Sequence, residues 1–123
     1  MKQGIVAVAL AAGSALGAFA KHEIYVAADA AAGGDGGKRA PYQTLAQARD
    51  GLRAARQSGA VKSGEAVTVY VGPGVYRLDA TFELKEEDGG TAGAPVIYRA
   101  LKRGQARIHG GHTLDAASFR PLT

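Results

Sequence analysis

One strand is written nearly twice in this chain, and that repeat constrains the fold more than any other feature. Val67 to Val71 reads VTVYV and Pro95 to Arg99 reads PVIYR. Set in register, Val69-Tyr70 matches Ile97-Tyr98 at a spacing of 28. Gly74 matches Gly104, Arg77 matches Arg107, Leu78 matches Ile108 and Leu84 matches Leu114, each at 30. A period near thirty residues with three short strands points to a solenoid. A single coil cannot bury its own apolar face and must stack on the next. Strands one period apart then pair in parallel, and this register sets Tyr70 over Tyr98, facing alike. Glycine corners let the chain bend sharply between faces. The alternative on spacing is an antiparallel meander, whose strands come every 8 to 12 residues or so.

The core of such a fold must be built from little. The chain has 123 residues, enough for one small domain. Its apolar share is 46%, much of it alanine; there is no tryptophan, and glycine numbers 18. Short strands of Val, Ile, Leu and Tyr in a turn-rich layered fold suit that composition better than a helical bundle. The absence of cysteine excludes a disulfide framework and a thiolate metal site.

The N-terminus is a separate object. Lys2 precedes the apolar run Gly4 to Gly17, and Ala18-Phe19-Ala20 supplies small residues where a signal peptidase reads. This predicts a secretory signal over 1–20, cleaved near Ala20. The run is shorter than the roughly 20 residues that span a bilayer. The expected location is therefore secreted or periplasmic, with no membrane association after cleavage. The mature chain has 103 residues, and loss of Lys2 lowers the net charge from +4 to +3. The nine arginines and six lysines are read as scattered, which argues against nucleic acid as a partner.

Residues 21–65 read as an N-terminal strand, loop and capping helix, and residues 66–123 as the first coils. Glu23 to Ala27 is a strand with Ile24 and Val26 on one face and Tyr25 on the other. Asp29 to Gly37 is a glycine-rich loop. Thr44 caps a helix predicted over Leu45 to Gln57, with Gln47 completing a capping box and Ser58-Gly59 ending it. Leu45, Ala48, Leu52 and Ala55 form its apolar stripe, and Gly51 costs it about 1 kcal/mol relative to alanine. Strands are predicted at Ala66 to Val71, Val75 to Leu78, Phe82 to Leu84 and Val96 to Ala100.

The ordered set of motifs resembles the N-terminal segment of secreted bacterial right-handed parallel β-helix proteins, the pectin-lyase-like superfamily. The resemblance is carried by Ile24-Tyr25-Val26 before a Gly/Asp loop and by Pro41-Tyr42-Gln43-Thr44-Leu45 opening a helix. It continues in Val69 to Leu78, in Asp88 to Ala100, in Ile108-His109-Gly110-Gly111 and in Phe119-Arg120-Pro121. It covers essentially the whole mature chain. It implies a mainly β fold, with about two coils of right-handed parallel β-helix behind an N-terminal capping α-helix. Such a chain is expected to be the front of a longer protein or a truncated reading frame, since at least three repeats are usually needed for stability, with end-to-end self-association as the alternative. Downstream coils of the same protein are then a partner.

Family members include polysaccharide lyases, glycoside hydrolases, epimerases and non-catalytic surface proteins. The resemblance therefore implies an exported protein acting on polysaccharide, neutral or acidic, by hydrolysis or β-elimination, with catalytic groups on later coils outside this chain. The alternatives are a non-catalytic glycan-binding or adhesive solenoid and an inactive fragment.

Within the chain, no catalytic residue can be assigned. Asp29 and Asp35 flank a glycine loop and could hold calcium, but match no EF-hand spacing. Calcium in the full-length protein is the one cofactor suggested. Glu86, Glu87 and Asp88 form a carboxylate cluster read as a polar surface turn between coils. His109 and His112 lack an evident third zinc ligand, and His22 lies beside the cleavage site. Arg77 and Arg107 occupy equivalent coil positions; a ladder of the two could meet a uronate, or each could pair with Glu83 or Asp79. No Ser-His-Asp set or phosphate-binding glycine loop is legible.

Overall fold

A computed structural model describes residues 21–122. The signal sequence expected over 1–20 lies outside the described residues. Among those residues no helix is long and apolar enough to cross a membrane.

The elements follow the order β1 (Lys21–Val26), α1 (Leu45–Gln57), β2 (Ala66–Val71), β3 (Gly74–Arg77), β4 (Val96–Ala100) and β5 (Ala106–His109). Single turns of 3-10 helix lie at Glu86–Asp88 and Ala116–Ser118. The strands form two parallel sheets, one ordered β1-β2-β4 and the other β3-β5. Alternation along each strand sorts the side chains. Ile24, Val26, Val67, Val69, Val71 and Tyr76 turn inward and join Leu45, Ala48 and Leu52 of α1 in one core.

Helix α1 forms where its local signals place it. The Thr44 side chain accepts from the Gln47 amide at 3.1 Å, and the Gln47 side chain accepts from the Thr44 amide at 3.2 Å. Ser58 then closes the helix and Gly59 leaves it at φ +78°. Gly51 has a packing role beyond propensity. A Cβ there would meet the Tyr42 ring, as would one at Gly36.

The edges of the first sheet are unlike. The segment from Gly36 to Tyr42 covers the outer side of β1: Tyr25 N–H donates to Gly36 O at 2.7 Å, and Tyr42 N–H donates to Tyr25 O at 2.9 Å. Ala27 N–H also reaches Tyr42 O, making a parallel bridge there. On the other edge, Pro95 O accepts from Val67 N–H and Leu101 N–H donates to Val71 O. A parallel ladder uses alternate residues on each side. The backbone groups of Val96, Tyr98 and Ala100 therefore point away from β2, and among the described residues no strand meets them. The same logic leaves Ala106 and Ile108 of β5 unpaired on their far side.

The register differs from the expected one. Val67 lies beside Val96 and Val69 beside Tyr98, a spacing of 29 where 28 is expected. Tyr70 and Tyr98 therefore do not face alike. Tyr70 lies level with Tyr25 and Arg99 on the outward face, and Tyr98 turns inward. One residue of slip exchanges the faces of a strand. Here it puts the large Tyr98 ring inside, edge-on to Phe82 at 6.0 Å, and leaves Ile97 outside. In the second sheet the spacing is 32 instead of 30: Gly74 pairs with Ala106, and Arg77 with His109 rather than with Arg107. The longer corner between β4 and β5 takes up the difference, with Gly104 at φ +76°. Phe82 to Leu84 is not a strand, so the expected match of Leu84 with Leu114 has no counterpart in either sheet.

Candidate functional site

Three arginines on one side of α1 hold the chain that links β3 to β4. Arg49 Nη1 donates to Glu83 O at 3.0 Å, and its guanidinium lies 5.8 Å from the Phe82 ring centroid. Arg53 grips Asp88 with both forks, Nε to Oδ1 at 2.6 Å and Nη2 to Oδ2 at 2.5 Å. Arg56 donates to the carbonyl oxygens of Glu87 and Gly89. The Asp88 side chain is 1% exposed. The Arg53 guanidinium and the Lys85 amide hold its carboxyl down to about 2. Of the expected surface carboxylates, Glu87 conforms and Asp88 does not; it is a buried structural anion. The sequence signal for this clamp is the 49, 53, 56 spacing, which sets three cations along one helical side.

Beside the clamp, a cleft of about 370 Å³ opens between the start of α1 and the segment leaving β3. Gln43, Thr44, Arg49, Arg77, Asp79 and Phe82 help line it. Most of its polar groups are already engaged. Thr44 caps the helix, Gln43 Nε2 donates to Ala30 O, and Arg77 Nε lies 3.2 Å from Asp79 Oδ1. A second hollow, about 350 Å³ and mostly apolar, opens at the β4–β5 end between Leu45, Phe82, Leu84, Tyr98 and Ile108. The Tyr98 hydroxyl is buried without a hydrogen-bond partner among the described residues, and burial pushes its pKa up.

The outward face of the first sheet carries a polar row. The Tyr25 and Tyr70 rings stack with centroids 5.2 Å apart. Both hydroxyls donate to Glu23, at 2.9 and 3.4 Å, and Lys21 Nζ donates to the Tyr70 hydroxyl at 3.2 Å. The bond to the Glu23 carboxylate raises the pKa of Tyr25. Arg99 continues this row on β4. The sequence places Tyr25 outward and sets Tyr70 over Tyr98, but it gives no register for β1 against β2 and so does not bring Tyr25, Tyr70 and Glu23 together.

The other sequence candidates remain apart. Asp29 and Asp35 share no site; Asp35 Oδ1 accepts from the Gly37 amide within its own turn. Among the described residues no group of three or more His, Cys, Asp or Glu is placed to hold a metal ion. His109 sits level with Arg77. His112 Nδ1 lies 2.6 Å from Arg77 Nη2, which donates to it. Arg77 thus pairs with Asp79, one of its two expected acidic partners, while Arg107 lies level with Val75.

No family profile matches the chain, and no curated protein matches it. A solved structure titled "Glycoside hydrolase" superposes with a TM-score of 0.67 at 24% identity, over 74% of this chain and 15% of that one. At that identity the likeness is one of fold. The matched part of this chain spans only 15% of that neighbour's length.

Proposed function

We propose that this chain forms the capped entry and first coils of an exported right-handed parallel β-helix protein that acts on polysaccharide. The observation that carries the reading is the asymmetry of the strand stack. The β1 edge is covered by the Gly36–Tyr42 segment, while β4 and β5 present backbone groups that no strand among the described residues meets, beside an apolar hollow. Such an end favours a further layer of strand, since unpaired edges and exposed apolar side chains otherwise invite aggregation. Parallel pairing across 29 and 32 residues supports a solenoid period near thirty. The likeness to a far longer glycoside hydrolase supports carbohydrate as the substrate class. Export is assigned to residues 1–20.

On this reading the cleaving groups lie on further coils, and this chain supplies the capped end on which they stack. The test is to incubate the full chain with neutral and acidic polysaccharides. Hydrolysis is read as new reducing ends, and β-elimination as the ultraviolet absorbance of unsaturated ends. The expected result is no product from this chain alone, together with binding of an apolar dye at the open end. Product formation would place catalytic groups within residues 21–123 and contradict the assignment. A chain that binds no dye and remains monomeric would contradict the open end.

A further inference from the structure

The outward face of the first sheet holds two phenols in one orientation. Strands β1 and β2 run parallel with Tyr25 level with Tyr70, so the two side chains leave the sheet alike. Their rings stack 5.2 Å apart between centroids and 24° from parallel. Both hydroxyls donate to one carboxylate, Tyr25 to Glu23 Oε2 and Tyr70 to Glu23 Oε1. The hydroxyl ends therefore point the same way, and the carbons ortho to them lie at one level in the stack. Both rings are half-buried, within reach of solvent. The bond to Glu23 raises the pKa of Tyr25, so its hydroxyl stays protonated at neutral pH. Among the described residues the other aromatic pair is Tyr98 edge-on to Phe82, which has no hydroxyl, and the Tyr76 hydroxyl is buried against Gly72 O. The chain has no cysteine, so no disulfide can tie its strands together.

We propose that Tyr25 and Tyr70 are a modification site, at which peroxide acting through a haem peroxidase joins the two rings as dityrosine and so cross-links β1 to β2. Each phenol gives one electron to the oxidised haem and its O–H proton to Glu23, whose exposed carboxylate passes the proton to water. The two phenoxyl radicals couple through their ortho carbons, forming one C–C bond. Each of those carbons then sheds its hydrogen as a proton and each oxygen takes one up, which restores two phenols. The chain loses two hydrogens net. Peroxide takes up the two electrons and two protons, its O–O bond breaks, and it leaves as two waters. The stack favours this coupling because the half-filled orbitals stand perpendicular to the rings and already face each other, with no encounter to wait for. Lys21 Nζ donates to the Tyr70 hydroxyl oxygen at 3.2 Å and steadies that oxygen once its proton has left. Coupling between two copies is at a disadvantage. Residues 96–123 hold five Lys or Arg and one acid, Asp115, which is the whole net charge of +4 and corrects the impression that the basic residues are scattered. Like charge slows the meeting of two chains. The proposal does not depend on the carbohydrate reading.

The test treats the full chain, at several dilutions, with hydrogen peroxide and a haem peroxidase. The expected product is a monomer on a denaturing gel, lighter by two hydrogens, with dityrosine fluorescence and a yield that does not change with chain concentration. Trypsin should release residues 22–38 joined to residues 63–77. Tyr25→Phe and Tyr70→Phe should each abolish this product, and Tyr42→Phe should leave it unchanged. Because 63–77 also contains Tyr76, the Tyr70→Phe variant fixes which ring is joined. Glu23→Gln should slow the reaction several-fold near neutral pH. That gap should close as pH approaches about 10, where a phenol ionises without an acceptor. Circular dichroism confirms the fold of each variant. The cross-linked chain should unfold at higher urea than the untreated one, since the link restricts the unfolded chain. An unchanged yield in Tyr25→Phe or Tyr70→Phe overturns the site, as does a product found only as covalent dimers whose yield rises with concentration. A Glu23→Gln chain that reacts as fast as the native one at neutral pH overturns the proton transfer to Glu23.

Discussion

The Tyr42 ring lies against both Gly36 and Gly51, and a methyl group added at either position would run into it. Helix propensity alone predicts that Gly51→Ala stabilises the chain by about 1 kcal/mol. The packing predicts the reverse, because a Cβ at Gly51 would overlap the Tyr42 side chain, whose ring also lies against Gly36. Gly51→Ala should lower stability by about 1 kcal/mol net in denaturant unfolding, overpacking outweighing propensity. Asp88 gives a second residue-scale prediction. Asp88→Ala should cost about 2–3 kcal/mol, since it removes a buried anion that satisfies Arg53 and the Lys85 amide. The folded carboxyl titrates near 2, below the ordinary 3.8, so the folded state binds the proton less readily than the unfolded one. This contribution is full above about pH 4 and is lost as pH falls through about 2. Urea unfolding from pH 5 to pH 2 should show that loss in the native chain and a smaller one in Asp88→Ala. Neither residue's role was legible in the sequence. Asp88 meets Arg53 across 35 positions, and Tyr42 reaches Gly51 only after the chain turns back on itself.

At the scale of elements, local signals were sufficient for α1, β2 and β4 but not for Phe82 to Leu84, which reads as a strand and forms none. Helix α1 and its capping box depend on residues within a few positions of one another, and β2 and β4 occupy the ranges their β-branched runs predict. Thr44→Ala should lower stability by about 1 kcal/mol, because one amide of the first turn loses its acceptor. Register was not legible. Ile97 and Tyr98 are both good inward residues, and local pattern does not say which one enters. Tyr98 enters and packs edge-on to Phe82, which lies in a segment that is itself not a strand. Tyr98→Ala should cost more than Ile97→Ala by about 2 kcal/mol, since only the first removes a ring packed against the core.

At the scale of the whole molecule, the two ends of the strand stack differ. One is closed by the chain's own loop and roofed by α1, and the other is open and adjoins the segment that carries the net charge. The charge division was readable by counting halves. The open edge was not, because it depends on which side of β4 bonds to β2. Amide hydrogen exchange in the native monomer tests this account most directly. Ile97, Arg99 and Leu101, bonded to Val67, Val69 and Val71, should be protected, and Val96, Tyr98 and Ala100 should exchange far faster. Equal protection of both sets, or protection of the second set alone, would contradict the register and the open edge together.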